Sequence, residues 1–430
     1  MQRRDAMKWL LAGGLGGSGL VVVPAAQAQA GGYAGKVLID VFIPGGLDQS
    51  SWADPRENDE KINDYARLRI PANVTGAIRS APMRTLDTFF GKYYRQMLVV
   101  NGIDCQTNDH IHGMLQAATG SLAPGYPSMS ELYARTYGSG LALKWLNQSS
   151  LSVTANQGLA IATPIPTAND FRLMTQPNAA TSTADRMKAS DLTLVQQARI
   201  DRANRRQAAG GLLPRTAHFN QQVADSGAAR ATFASVSALL PGTLDAGFED
   251  AHLGLICVKA GVTSAVHLTT APNVDAHNAL TLGYNGSGNN IGCLAGITNL
   301  VDYVWTKAAA MGIANRLFMR IYSEFGRTAL NTMAGKDHHP IGCATFMEAA
   351  PAWGNRVFGA SDAKHEALKI NPRTGAVDPN GVNMTMRHVV AAMEKYLGID
   401  NTGSPWPLSV PSSEMVSLFD PNARTGYPYT

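Results

Sequence analysis

Short apolar runs alternate along the chain with longer amphipathic stretches. Four runs are rich in branched apolar residues and lead into turn-forming residues, as buried strands do, at 36–43, 96–100, 263–269 and 316–322. Four stretches have the spacing of helices, at 185–207, 251–260, 298–311 and 386–397. Because strands and helices alternate, the sequence predicts an α/β fold with a mostly parallel sheet sandwiched between helices.

The segment 126–214 departs from this alternation. Its long predicted helix carries charges of both signs, which is typical of a solvated face and indicates no function by itself. We therefore predict a helical insertion or cap at about 126–214 within a single domain at 31–430. The region after Thr402 is rich in Pro and Ser and is predicted to wrap over the surface.

The N-terminus has the order of an export signal. Arg3, Arg4 and Lys8 precede an apolar stretch at 9–24, and small residues alternate up to Ala30. Five glycines dilute the stretch, which is shorter than the about 20 apolar residues of a spanning helix. We predict a signal peptide at 1–30 of the twin-arginine type, with that export machinery as a partner. The mature protein is then periplasmic or secreted, without a stable membrane span, and the alternative is a retained anchor.

Charge and cysteine content exclude several kinds of partner. The net charge is +4, and it falls to +2 without the three basic and one acidic residues of the predicted signal. No Lys/Arg cluster remains, which argues against nucleic acid as a partner. Four widely separated cysteines show no paired spacing, so a structural zinc site held by cysteines is not expected.

Carboxylates and imidazoles collect directly after the predicted strands. They are Asp48, Asp109, His110, His112, Asp275, His277, Glu324, Asp337, His338 and His339, with Arg327 among them. Ligand sites of parallel sheets lie beyond the carboxyl ends of the strands. Each Asp-His pair alone is better explained as a turn or cap, Glu324 as a strand-end cap and Arg327 as a surface ion pair. Together they predict one shared site for divalent metal ions.

Four strings along the chain resemble a known exported family. They are Gly45-Gly46-Leu47-Asp48, Asp275-Ala276-His277, Ser323-Glu324-Phe325-Gly326-Arg327-Thr328 and Asp337-His338-His339-Pro340. In this order behind a twin-arginine-like leader, they resemble the family called domain of unknown function fifteen-oh-one, of the alkaline-phosphatase and sulfatase-like superfamily. The resemblance spans about 36–397, and Gly359-Ala360-Ser361-Asp362 is similar to the family's closing motif.

The resemblance implies an alkaline-phosphatase-like fold with one or two divalent ions, whether zinc, manganese, magnesium or calcium. By position, Asp275, His277 and His338 would hold one ion, and Asp48 and Glu324 the other. Phosphatases of this superfamily have a further ligand where this chain has Phe325. The second ion is therefore expected to bind weakly or to be missing.

The resemblance leaves two arrangements open for the attacking group. Counting back from Thr119-Gly120 at the sulfatase spacing reaches His110, which has no hydroxyl. Thr107 lies close by as a possible metal-activated nucleophile. The other arrangement uses water, with His110 or His112 as acid or base. In either case Arg327 is expected to hold the substrate oxyanion.

Two functions follow from these observations. The first is an exported metal-dependent hydrolase of phosphate or sulfate esters, acting on a small or polymeric anionic ester. The second is a non-catalytic exported binding or assembly protein that keeps the fold without the chemistry. The Asp, His and Glu set favours the enzyme, whereas Phe325 and the missing hydroxyl favour the alternative.

Overall fold

Most of the predicted mature chain is described by the computed structural model. It covers residues 32–57, 59–149, 151, 153, 162–164, 188–213, 215–217, 220–221, 223, 235–275, 277–278, 289–401 and 404–423. The predicted signal peptide at 1–30 lies outside these residues, so its cleavage and its export route stay predictions. No helix within the described ranges is long and apolar enough to cross a membrane.

Strands and helices alternate along the described chain. The strands are β1 (Val37–Ile43), β2 (Asn73–Thr75), β3 (Ile78–Ser80), β4 (Met97–Asp104), β5 (Trp145–Asn147), β6 (Ala162–Pro164), β7 (Ala265–Thr269), β8 (Leu317–Ser323), β9 (Gly326–Leu330), β10 (Lys336–His339), β11 (Ile341–Glu348) and β12 (Arg356–Phe358). The helices are α1 (Asp64–Arg67), α2 (Arg84–Tyr93), α3 (His110–Thr119), α4 (Met129–Tyr137), α5 (Ala189–Ala208), α6 (Glu249–Lys259), α7 (Asn289–Ala310) and α8 (Met386–Tyr396).

An eight-stranded mixed sheet forms the centre of the protein. Its strand order is β12-β4-β11-β8-β1-β7-β5-β6. Neighbouring strands are parallel except at β11, which runs antiparallel to both β4 and β8. The predicted α/β class and mostly parallel sheet are therefore confirmed.

Helices cover both faces of this sheet. On β1, Val37, Ile39, Val41 and Ile43 belong to one buried cluster, which also contains residues of α2, α6 and α7. The side chains between them point to the other face, where Leu38 packs in a second cluster with residues of α3, α4 and α8. Because side chains alternate along a strand, this buried run, which is apolar except for Asp40, fills two cores at once.

The segment predicted as an insertion is described only in part. Within it, α4 packs on the sheet and β5 pairs with β7, so residues 129–147 contribute to the central layers. Helix α5 is exposed along most of its length, with Leu194 68% accessible. Much of 150–187 lies outside the described residues, and the cap as a whole stays a prediction.

The C-terminal segment 404–423 wraps over the sheet edge near β12, as predicted. Arg356 donates to the backbone carbonyls of Leu418 and Asp420, and Phe419 stacks on Tyr396 with ring centroids 4.4 Å apart. All four cysteines are buried and unpaired with each other. The described fold therefore contains no disulfide.

Candidate metal centre

The turn after β1 draws two other loops together. Gly45 and Gly46 adopt φ of +102° and +83°, which side-chain-bearing residues rarely adopt. A Cβ on Gly45 would lie 1.9 Å from Asn273 Oδ1, and one on Gly46 would lie 2.4 Å from the Phe325 ring. The loops after β7 and β8 therefore close directly on this turn, which places Asp275 beside the carboxyl end of β8.

Three predicted metal ligands meet in this place. His277 Nε2 lies 3.0 Å from Asp275 Oδ1, His338 Nε2 lies 3.5 Å from the same oxygen, and the two nitrogens are 3.1 Å apart. Ligand atoms about 2.0–2.2 Å from a tetrahedral zinc are separated by about 3.3 Å. The triangle of donor atoms therefore fits one ion of that size.

A hydrogen-bond acceptor at Nδ1 sets the orientation of each imidazole, that of His277 and that of His338. His277 Nδ1 lies 3.1 Å from Asp337 Oδ1, and His338 Nδ1 lies 2.8 Å from the Asn108 carbonyl oxygen. Each acceptor assigns the ring proton to Nδ1, which leaves Nε2 as a lone pair directed at the triangle. Histidines that bind metals in proteins are oriented in this way. The donor set therefore fits a divalent ion.

His110 adds a third imidazole at the edge of the triangle. Its Nδ1 lies 3.0 Å from Glu324 Oε1, and its Nε2 lies 3.9 Å from Asp275 Oδ2. His110, Asp275 and His338 also offer donor atoms that lie within 4.8 Å of one another. The hydrogen bond to Glu324 raises the pKa of His110 although partial burial opposes it.

Glu324 supports the site from behind. It is 1% exposed. Its Oε1 accepts from the Gly45 amide at 2.6 Å and faces His110, while its Oε2 accepts from Ser323 Oγ at 2.9 Å. Both oxygens therefore have protein partners, and Glu324 fixes the position of His110.

Asp48 has an ammonium partner that sequence reasoning missed. Lys336 Nζ, fully buried, lies 2.9 Å from Asp48 Oδ1, and Ser50 Oγ lies 2.8 Å from the same oxygen. Burial raises the pKa of Asp48, but Lys336 and the neighbouring hydroxyls outweigh it and hold that pKa below its usual value. The predicted second ion between Asp48 and Glu324 therefore finds both carboxylates already bonded within the protein, and Lys336 supplies the positive charge beside Asp48.

Arg327 is a buried support for Asp275. Its side chain is 0% exposed and donates to Asp275 Oδ1 and the Gly45 carbonyl, with longer bonds of 3.1 Å to the carbonyls of Gly46 and Lys336. Burial raises the pKa of Asp275, but Arg327 outweighs it and keeps that pKa below its usual value. The predicted role of Arg327 in holding a substrate oxyanion is therefore not what its contacts indicate, since the guanidinium faces Asp275 and backbone oxygens.

The remaining predicted residues lie around the start of α3. Asp109 caps this helix by accepting from the His112 amide at 3.0 Å, and it also meets His112 Nδ1 at 2.8 Å. His112 is thus part of an exposed cap. Thr107 Oγ1 accepts from the Asp109 amide at 3.1 Å, so this hydrogen bond of the Thr107 hydroxyl also belongs to the cap. His339 lies on the inner side of β10, where its Nε2 is 3.1 Å from the His365 carbonyl oxygen.

Comparison with known proteins gives similarity at the level of structure. No family model and no curated protein sequence matches the chain. A structure from work on glycosaminoglycan metabolism by Bacteroides thetaiotaomicron has 9% identity, covers 92% of this chain and 78% of its own, and has a TM-score of 0.37. A magnesium-bound mutant of TAB5 alkaline phosphatase has 10% identity, coverages of 73% and 91%, and a TM-score of 0.28. The C-terminal periplasmic domain of EcEptC from Escherichia coli has 12% identity, coverages of 95% and 95%, and a TM-score of 0.31. Scores this low carry no conclusion about activity, and the resemblance to a specific family stays a prediction.

Proposed function

We propose that the protein is an exported, metal-dependent hydrolase of phosphate or sulfate esters. The observation that carries this proposal is the triangle of Asp275, His277 and His338, whose edges of 3.0, 3.1 and 3.5 Å suit a single divalent ion. Three protein ligands leave one position for water or substrate, which is the arrangement of catalytic rather than structural zinc. A divalent ion at this centre supplies Lewis acidity toward an ester oxygen.

The surrounding residues have separable tasks in this proposal. Arg327 keeps Asp275 anionic and oriented, and Asp337 fixes the ring of His277. His110 accepts or donates a proton at Nε2, because Glu324 holds its Nδ1 at 3.0 Å. The Glu324 contact favours His110 over Thr107, whose hydroxyl bonds to the helix cap.

Export is the second part of the proposal. It rests on the order of Arg3, Arg4 and Lys8, the apolar stretch and the small residues before Ala30. We expect N-terminal sequencing of periplasmic material to begin near residue 31. Arg3→Lys combined with Arg4→Lys should stop export, and periplasmic protein that begins at Met1 would contradict the cleavage.

The metal centre is tested by titrating zinc into chelated protein. We expect wild type to take up one equivalent, and His338→Ala to lose at least about tenfold in affinity because a ligand is removed. His252→Gln is the control, since His252 lies on α6 against Asp245 and outside the centre. Equal uptake by wild type and His338→Ala would show that His338 is no ligand.

Hydrolysis is tested on the same loaded protein with chromogenic phosphate and sulfate esters. Turnover that disappears on chelation and returns with zinc supports the enzyme. Zinc uptake without turnover of any ester would favour the alternative, an exported binding or assembly protein.

A further inference from the structure

We propose that the centre selects esters with one negative charge, namely sulfate monoesters and phosphate diesters, over phosphate monoesters, which carry two. This inference rests on the proposed function and names the substrate class of the same site. It is carried by the placement of fixed charges around the triangle of Asp275, His277 and His338.

Few basic side chains belong to the segments that build the centre. Their described parts are 44–55, 104–125, 270–275, 277–278, 289–306 and 324–340, and Arg327 and Lys336 are the only Lys or Arg residues in these described parts. Both side chains are fully buried. Arg327 is bound by Asp275 and backbone oxygens, and Lys336 by Asp48 and Ser50 Oγ at 2.9 and 2.6 Å. These segments therefore present no Lys or Arg ammonium or guanidinium to a substrate.

The mouth of the centre instead presents carboxylates. The side chains of Asp109, Asp275 and Asp337 are 54%, 33% and 59% exposed. Asp337 Oδ1 lies 3.1 Å from His277 Nδ1, and Asp275 Oδ1 lies 3.0 Å from His277 Nε2. Neither carboxylate can therefore turn far from the proposed ion. The formal negative charges of Asp275, Glu324 and Asp337 equal the combined positive charge of Arg327 and one divalent ion. A second negative charge on the substrate would therefore meet no additional Lys or Arg from the described residues of these segments.

Phosphate monoesters place that second charge on the transferring group itself. Enzymes that cleave them stabilise it with a second ion, an Arg or a Lys close to the phosphoryl oxygens. This centre has Lys336 on Asp48 where the second ion was expected. A singly charged ester needs no such partner, and it is repelled less by Asp337 and Asp109.

The test uses three substrates with one leaving group at pH 8. Zinc-loaded protein is assayed with 4-nitrophenyl sulfate, bis(4-nitrophenyl) phosphate and 4-nitrophenyl phosphate, and each kcat/KM is divided by the uncatalysed rate. We expect this ratio to be about 100-fold higher for at least one singly charged ester than for the phosphate monoester. Calorimetric binding of phenyl sulfate, diphenyl phosphate and phenyl phosphate gives a readout that does not require turnover.

A charge variant makes the test specific. Met333 is 64% exposed in the loop whose Asn331 Nδ2 donates to the His277 carbonyl at 3.2 Å. Met333→Lys should shift selectivity toward the phosphate monoester by about tenfold, and Met333→Gln should not. An unchanged ratio in Met333→Lys would contradict the charge argument.

The outcomes separate this inference from the proposed function. Tighter binding of phenyl phosphate than of both singly charged esters overturns the inference, and so does binding of none of them by zinc-loaded protein. Preferred binding of singly charged esters without hydrolysis supports the charge selectivity and removes the hydrolase. Failure to take up zinc removes the proposed function at its first step.

Discussion

Replacing Lys336 by methionine should strongly destabilise the protein. Lys336→Met keeps much of the side-chain volume but leaves the Asp48 carboxylate buried, with 4% exposure, beside two serine hydroxyls and the Ser50 amide, none of which is charged. At the observed 2.9 Å and an effective dielectric constant of 20, the lost attraction is about 6 kcal/mol. Removing one partner of a buried ion pair typically costs about 3–5 kcal/mol. We expect a loss of about 3–5 kcal/mol in the free energy of unfolding.

A double-mutant cycle isolates this pair. Asp48→Asn should also be strongly destabilising, since it leaves the Lys336 ammonium buried without its anion. The double variant should be more stable than either single variant, because it contains no unpaired buried charge. Urea unfolding at pH 7, followed by tryptophan fluorescence and by far-UV circular dichroism, measures all four proteins. A loss below about 1 kcal/mol in Lys336→Met, or simple additivity in the cycle, would refute the pairing.

Two further predictions concern stability. Burial raises the pKa of Glu394 from 4.5 to about 7, so the native state retains a proton that the unfolded chain releases. The free energy of unfolding should therefore fall by about 3 kcal/mol as pH rises through that interval. Urea unfolding at pH 5 and pH 8 measures this fall. It should be smaller in Glu394→Gln than in the control Glu366→Gln, whose side chain is exposed. Gly45→Ala should cost at least about 2 kcal/mol in urea unfolding, because its Cβ would meet Asn273 Oδ1 at 1.9 Å. Gly91→Ala in α2 meets nothing within 4 Å and should gain about 0.5–1 kcal/mol, so a similar effect at both glycines would contradict this reasoning.

Much of the sheet could be predicted because its strands are buried on both faces. Apolar runs at 36–43, 96–100, 263–269 and 316–322 coincide with β1, β4, β7 and β8 to within a few residues. Strand β11 was missed, since Gly342 interrupts its apolar pattern and its ladder with β4 shifts register next to that residue. Its antiparallel direction follows from the short connections through β9 and β10, which sequence periodicity does not reveal.

The metal ligands of the candidate site could be predicted, because their residue types and their positions after the predicted strands are visible in the sequence. Asp275, His277 and His338 were named from the sequence, and the structure brings them together. The lysine partner of Asp48 was not predictable, because a lysine beside charged residues is ordinarily solvated. Only the three-dimensional fold buries Lys336 against Asp48 and turns a potential metal ligand into half of an internal ion pair.

The position of β4 has a consequence for the order in which the protein is completed. Both neighbours of β4 in the sheet, β11 and β12, are made near the end of the chain. Roughly 240 residues separate the end of β4 from the end of β11, which is about 12–50 s of synthesis at about 5–20 residues per second. During that interval both edges of β4 lack the backbone partners of the finished sheet. A chain released from the ribosome before β11 would therefore offer β4 to any neighbouring strand, including that of another copy.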